Sequence, residues 1–336
     1  MVEMALALSE KKKGSAPGPD LITYEMLKRS HPNMKTHINR LFNELLNAGY
    51  YPKAWRTATV VALPKPGKPA KNPSSYRPIA LTSQLGKTFE TVLKKRLTHF
   101  CEKKQILPPE QSGFRKKRST LDHLTTLAQT INNYHKVKNT DICGIFLDIE
   151  KAYDMLWREG LLAKLTILKV PHIFVKVIES FLMERKMKVR VDKILSEEKT
   201  LDNGVPQGSV LSPLLFNIMI ADLVKTVKRN KVMQFADDTS IIGKVEYRRK
   251  PNRKWKITGF EDLQKDLDAL ALWFQSMGFK LSTAKTQVIL FRDSSFRNRP
   301  SMEELPQLVL NGTPLEYADK VKFLGVYFQK NNSLAP

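Results

Sequence analysis

Val232-Met233-Gln234-Phe235-Ala236-Asp237-Asp238-Thr239-Ser240-Ile241-Ile242 decides how this chain is read. Short apolar runs flank two adjacent carboxylates, the pattern of a hairpin with Asp237 and Asp238 at its tip. Two neighbouring negative charges there are costly unless a cation binds them. A third carboxylate stands at the end of another strand-like run, Ile142-Cys143-Gly144-Ile145-Phe146-Leu147-Asp148. Side by side, the two runs would gather three carboxylates, a set of hard oxygen donors suited to Mg²⁺. Such a site is well matched to two-metal phosphoryl transfer. Asp237-Asp238 alone could be turn formers and Asp148 alone a helix N-cap.

The chain has 336 residues and a net charge of +23, from 56 Lys and Arg against 33 Asp and Glu. A surplus of that size favours phosphate backbones as partners, because self-repulsion otherwise opposes compaction. The cations are spread along the chain, which ranks a membrane partner below nucleic acid. Cys101 and Cys143 lack CxxC partners, and the six histidines show no metal-binding spacing. The longest apolar region, 210–224, is too short and polar to span a bilayer. The expected location is intracellular.

Around the carboxylates the pattern is mixed α+β, with helices feeding an antiparallel sheet. Helical periodicity runs over 21–46, interrupted near Pro32, and over 83–100. Ser119 and Asp122 form a capping pair before a helix whose apolar stripe reads Leu121, Leu124, Leu127, Ala128 and Ile131. Two short helices over 158–184 break at Pro171. Residues 58–63, 187–191 and 287–291 read as strands, and 321–328 as late strands. Ser212 is the candidate N-cap of a helix with Pro213 at its first position. Residues 247–256 read as a mobile basic loop facing nucleic acid. Gly204-Val205-Pro206-Gln207-Gly208-Ser209 is a glycine-punctuated loop that lets backbone approach a flat substrate closely.

In this order the blocks resemble reverse transcriptases, above all those of non-LTR retrotransposons of the jockey and LINE type. The Asp148 segment resembles motif A, residues 204–213 motif B and Phe235-Ala236-Asp237-Asp238 motif C. Ala62-Leu63-Pro64-Lys65-Pro66-Gly67-Lys68 and Ser75-Tyr76-Arg77-Pro78-Ile79 resemble finger motifs. Gln111-Ser112-Gly113-Phe114-Arg115 with Arg118-Ser119-Thr120 resembles the element-specific motif between fingers and palm. Leu281-Ser282-Thr283-Ala284-Lys285-Thr286 resembles motif D, and Lys322-Phe323-Leu324-Gly325-Val326 motif E.

The resemblance implies a right-hand polymerase: helical fingers, and a palm whose small antiparallel sheet is backed by helices. It places an N-terminal extension and fingers over 1–140 and a palm over 141–300, with a fingers excursion at about 159–203. A palm end over 301–336 would stop before a thumb, making the chain a fingers-and-palm portion of a longer element, without the endonuclease domain that full-length members carry. It implies RNA-directed DNA polymerase activity, with an RNA template, a DNA primer, dNTPs and two Mg²⁺ ions (or Mn²⁺), and no membrane. Asp148, Asp237 and Asp238 match the metal ligands, and Lys285 the lysine that protonates pyrophosphate; the bland reading of Lys285 is a solvated surface lysine. Tyr153 matches the aromatic gate against a 2′-hydroxyl. Lys65 and Arg77 match the triphosphate contacts, and Gln207 and Gly208 the nucleotide and template lining. Arg115, Lys116, Lys117 and Arg118 fall in a nucleic-acid-contacting motif, the alternatives being a nuclear localisation signal or a solvated stretch. The rivals are an intron maturase or RNA-dependent RNA polymerase, and a catalytically silent nucleic-acid-binding descendant.

Overall fold

The computed structural model describes residues 2–67, 69, 71–252, 254–292, 299–330 and 334–335, with side chains up to residue 330. Lys68 and Arg253, two of the basic loop residues, lie outside the described set. The chain forms two units. One comprises Met1–Ile106 and Tyr153–Met219, the other Leu107–Ala152 and Ile220–Pro336.

In the first unit the helical periodicity resolves into Tyr24–Arg29 and Pro32–Ala48, separated where Pro32 takes the first helical position. The long helix Gln84–Lys103 starts where Ser83 Oγ accepts the Gly86 N–H at 3.1 Å. The sheet of this unit runs Tyr76–Leu81, Thr57–Pro64, Arg185–Val191, Ile194–Leu195, with Lys199–Leu201 also paired to Arg185–Val191. Its central pair, Thr57–Pro64 with Arg185–Val191, is parallel, so this sheet is mixed, whereas the antiparallel sheet is expected of the palm. Parallel neighbours need a long crossover, and the chain between these strands supplies one. Ala58, Val60 and Ala80 are buried, with Met187 and Val189 packed against them. The helices Arg158–Ile167 and His172–Leu182 flank Pro171, as expected.

The second unit is built on an antiparallel sheet in the order Gln287–Phe291, Thr140–Leu147, Asp238–Arg249, Lys231–Phe235. Every residue of Thr140–Leu147 is buried, so this strand is covered on both faces. Ile142, Phe146, Ile242, Ile289 and Phe291 form its core with Leu127 and Ile131 of the helix Thr120–His135. Phe323 and Phe328 of the late hairpin, Lys320–Phe323 with Val326–Gln329, close the same cluster. Leu324 and Gly325 both take positive φ in its two-residue turn.

Two expectations need correction. The capping box of Ser119 and Asp122 is present, but the helix buries His123, Leu127, Thr130 and Ile131, and Leu121 is 71% exposed. The stripe therefore runs through polar residues as well as the leucines. The basic stretch after residue 246 is no loose loop. Asp238–Arg249 continues through it and returns as Trp255–Thr258, with Tyr247 buried against Asp141. Alternating apolar residues hold the hairpin while Lys244, Arg248 and Lys256 lie on the other face. No described helix is long and apolar enough to cross a membrane.

Candidate active site

The carboxylates are placed by backbone geometry in the second unit. Asp148 follows the last residue of the fully buried strand. Phe235 pairs with Asp238 across the hairpin, leaving Ala236 and Asp237 as its two-residue turn. Ala236 takes φ 55°, a left-handed conformation that is costly for a residue with a Cβ. What holds it there is Gln111, fully buried and distant in sequence. Its Oε1 accepts the Ala236 N–H and the Gly113 N–H, each at 2.8 Å, and its Nε2 donates to Ala236 O at 3.3 Å. Ser112 N donates to Gln234 O at 2.9 Å, and Gln234 N to Glu110 O at 3.1 Å. The segment 110–113 thus runs along the hairpin as a brace. Gly113 must be glycine: a Cβ there would lie 2.3 Å from Ala236 N.

The electrostatics follow from the crowding. Desolvation raises the Asp237 carboxyl above its ordinary range, offset in part by its own backbone N–H and raised further by Asp148. Asp238 is pushed up to about 6, first by desolvation and then by Asp237 and Asp148. Both side chains still reach solvent, so a ligand can approach them. Each rise is the cost of holding charge in a partly desolvated place beside other carboxylates, a cost that a bound cation would relieve.

Part of that charge comes from Lys285. Glu150 N donates to Lys280 O at 2.8 Å and Ser282 N to Asp148 O at 2.9 Å. These bonds fasten the 280–286 turn beside the end of the strand, and Lys285 Nζ reaches Asp148 Oδ2 at 3.1 Å. With side chains 67% and 40% exposed, both partners are open to exchange for another ion. Among the described residues, no group of three or more His, Cys, Asp or Glu side chains is gathered closely enough to hold a metal ion. The donor chemistry fits a hard divalent cation, and the lysine occupies one of the oxygens such a cation would use.

The remaining predicted residues of the second unit divide. Arg115 donates to Pro108 O at 2.6 Å and Gln111 O at 3.0 Å. Arg118 donates to Pro109 O and, at 3.4 Å, to Gln111 O. Both guanidiniums therefore secure the brace, whereas Lys116 and Lys117 are exposed.

The predicted nucleotide residues lie in the first unit. Lys65 Nζ donates to Ser74 O at 2.8 Å. Arg77 is exposed on the strand Tyr76–Leu81, opposite Leu63. By the register, Arg77 shares a sheet face with Lys186, Lys188 and Arg190. The Tyr153 ring stacks on Phe216, centres 5.3 Å apart and planes at 9°. Gln207 Nε2 reaches Asp154 Oδ1 at 3.5 Å, and Ala80 N donates to Gln207 O at 2.7 Å. Gly208 has φ +127°, and a Cβ there would lie 2.5 Å from Ala80 O. Only glycine lets this loop lie so close to the strand.

Two buried charges that the sequence reading missed anchor the loop. Arg158 donates to Leu201 O at 2.6 Å, Gly204 O at 2.8 Å and Asn203 O at 2.9 Å. Glu90, on the long helix, accepts the Tyr51 hydroxyl at 2.8 Å, Val210 N at 2.7 Å and Leu211 N at 3.3 Å. The expected cap also shifts. The helix Ser212–Met219 includes Ser212, and Ser209 Oγ accepts its N–H at 3.0 Å. The available signal for Glu90 was a carboxylate amid the apolar face of an amphipathic helix.

Comparison with a solved structure shows the fold. The chain shares the fold of a telomerase from Candida tropicalis truncated from its C-terminal domain, with TM-score 0.53 at 13% identity over 90% of this chain and 60% of that one. This is the right-hand polymerase fold.

Over residues 63–328 the sequence matches the family described as reverse transcriptase (RNA-dependent DNA polymerase), and the chain belongs to that family. It is 31% identical to the RNA-directed DNA polymerase from mobile element jockey of Drosophila melanogaster, over 93% of this chain and 33% of that protein. It is 29% identical to the probable RNA-directed DNA polymerase from transposon BS of the same organism, over 100% of this chain and 36% of that protein. The chain thus spans about a third of the length of the curated relatives it matches. Polymerases of this family generally use divalent metal ions.

Proposed function

We propose that this chain is the fingers-and-palm portion of an RNA-directed DNA polymerase from a mobile element. It would add deoxynucleotides to a primer 3′-hydroxyl on an RNA template. The observation that carries the reading is the placement of Asp148 at a strand end and of Asp237 and Asp238 at a braced hairpin turn, with Asp148 raising the pKa of the other two. Three carboxylates so placed are hard oxygen donors suited to divalent cations. Asp148, Asp237 and Asp238 would hold two Mg²⁺ ions, or Mn²⁺, which when bound lower the pKa of a hydroxyl and neutralise phosphate charge.

The protein's own groups position and discriminate, which is most of what phosphoryl transfer requires. Lys65 and Arg77 would take the triphosphate. Gln207 and Gly208 would line the nucleotide and template on a loop anchored by Glu90 and Arg158. The Tyr153 ring, fixed by its stack on Phe216, would crowd a 2′-hydroxyl. Lys285, whose exposed amine lies beside Asp148, would be the group that protonates a leaving pyrophosphate. Lys116 and Lys117 would contact backbone phosphates.

One observation favours a second reading. The Lys285–Asp148 pair sets the protein's own cation on one of the carboxylates, as a silent nucleic-acid-binding descendant would. Primer extension on an RNA template with Mg²⁺ or Mn²⁺ separates the two. Extension by the wild-type chain, lost in Asp237→Asn with RNA binding retained, supports the polymerase. RNA binding without extension supports the silent descendant.

A further inference from the structure

The end of the second unit's sheet away from the carboxylates carries another constellation. The strand Asp238–Arg249 pairs with Trp255–Thr258, setting Arg248 opposite Lys256, Arg249 opposite Trp255 and Tyr247 opposite Ile257. Side chains alternate between the faces of such a ribbon. One face packs: Val245 and Tyr247 are buried, and the Arg249 guanidinium lies 5.7 Å from the centre of the Trp255 ring. The other presents Lys244, Arg248, Lys256 and Glu246, all exposed. Residues 244–258 contain seven Lys or Arg and a single acidic residue, Glu246, so the hairpin is basic even by the standard of this chain.

Arg248 and Lys256 are like charges directly opposite on paired strands, which destabilises the pair. A solvated face gains nothing from that juxtaposition, whereas a bridging anion turns the repulsion into binding. The same face leads into a cavity of about 430 Å³ lined by Tyr134, Asn230, Lys244 and Glu246 and by Arg229 with its ion-pair partner Asp262, among others. Lys244 Nζ sits 4.6 Å from the centre of the Tyr134 ring. Cations in a row beside an aromatic ring are what single-stranded nucleic acid uses, phosphates on the charge and a base on the ring. Arg248 is ten residues along one continuous strand from Asp238, about 33 Å at the usual rise of a strand. The tip of the hairpin is therefore remote from the carboxylates, while Lys244 stands six residues from Asp238.

We propose that the exposed face of this hairpin, with the adjoining cavity, is a second RNA site that holds the backbone of a single strand. It rests on the proposed function only in taking RNA as the ligand, and requires no polymerisation.

The test is the salt dependence of binding to a short unstructured single-stranded RNA, read by fluorescence anisotropy. The variant carries Arg248→Gln, Lys250→Gln, Lys254→Gln and Lys256→Gln, all at exposed positions. A matched control carries Lys12→Gln, Lys13→Gln, Lys103→Gln and Lys104→Gln, with the same fall in net charge from exposed sites in the other unit. With thermal melts unchanged, the hairpin variant should lower the log–log salt slope by about 3 units, at about 0.7 for each phosphate no longer neutralised, while the control keeps the wild-type slope. An unchanged slope, or equal reductions in both variants, overturns the proposal. So does a hairpin variant that keeps its RNA affinity but no longer binds phosphatidylserine vesicles. A chain that binds RNA through this face and extends no primer refutes the polymerase reading and leaves this site standing.

Discussion

At the scale of the residue, Tyr153 and His123 make separable predictions. Tyr153 is half-buried and stacked on Phe216, so its ring has one fixed position. If that position gates the sugar, Tyr153→Ala raises ribonucleotide relative to deoxynucleotide incorporation by about tenfold, about 1.4 kcal/mol of discrimination. Competitive incorporation on one template reads the ratio, and an unchanged ratio would reduce Tyr153 to a packing residue. His123 is buried between Phe235 and Phe323, with ring centres 5.8 Å from each. Its Nε2 has no hydrogen-bond partner among the described residues, and desolvation lowers its pKa to about 4. The unfolded chain binds the proton near pH 6.5, the folded chain only near 4. The stability due to neutral His123 is thus complete above about pH 6.5 and declines as pH falls toward 4, by up to about 3 kcal/mol. Urea midpoints of wild type and His123→Phe should therefore change their separation toward acid pH, the wild type falling more steeply; parallel curves would contradict the burial of a neutral imidazole.

At the scale of the element, the supports matter as much as the groups they hold. Glu90→Leu leaves the N–H groups of Val210 and Leu211 and the Tyr51 hydroxyl without their acceptor, at a cost of about 2–4 kcal/mol. Glu90→Gln keeps one acceptor and should recover most of it. If Glu90 sets the loop that bears Gln207, the Leu variant also raises KM for dNTP, measured on the folded fraction. A lower folded fraction with unchanged KM would confine Glu90 to stability. Gly113→Ala forces a Cβ against the braced turn, so extension should slow by about tenfold or more, with primer–template affinity retained. Full activity in this variant would mean that the turn can move freely.

These supports also mark what the sequence could tell. Asp148, Asp237 and Asp238 were legible because an apolar run passing abruptly into carboxylates is a local pattern. Gln111 was not, because its partner is the backbone of Ala236, 125 residues away, and no residue type announces a main-chain partner. Glu90 and Arg158 were hidden for the same reason. Leu121 misled because hydrophobicity alone defined the stripe, while helix rotation buried His123 and Thr130. The hairpin beyond residue 246 read as a loop because its cations outnumber the alternating Val245, Tyr247, Trp255 and Ile257 that hold it.

At the scale of the whole molecule, the surplus of positive charge and the carboxylate cluster are complementary halves of one chemistry. A net charge of +23 draws in polyanions, and the few acidic groups set at the hairpin and strand end would bring cations to them. The reverse transcriptase family match over residues 63–328 is consistent with both. The central claim is that Asp148, Asp237 and Asp238 form a polymerase centre, and primer extension tests it most directly. Wild-type chain and Asp237→Asn are compared on one RNA template with an annealed DNA primer, dNTPs and Mg²⁺ or Mn²⁺, with RNA binding measured in parallel. The account predicts template-directed extension by the wild type, a loss of about a hundredfold or more in Asp237→Asn, about 3 kcal/mol of barrier, and equal RNA affinity in both. Extension at the same rate by both chains, or by neither, would contradict it.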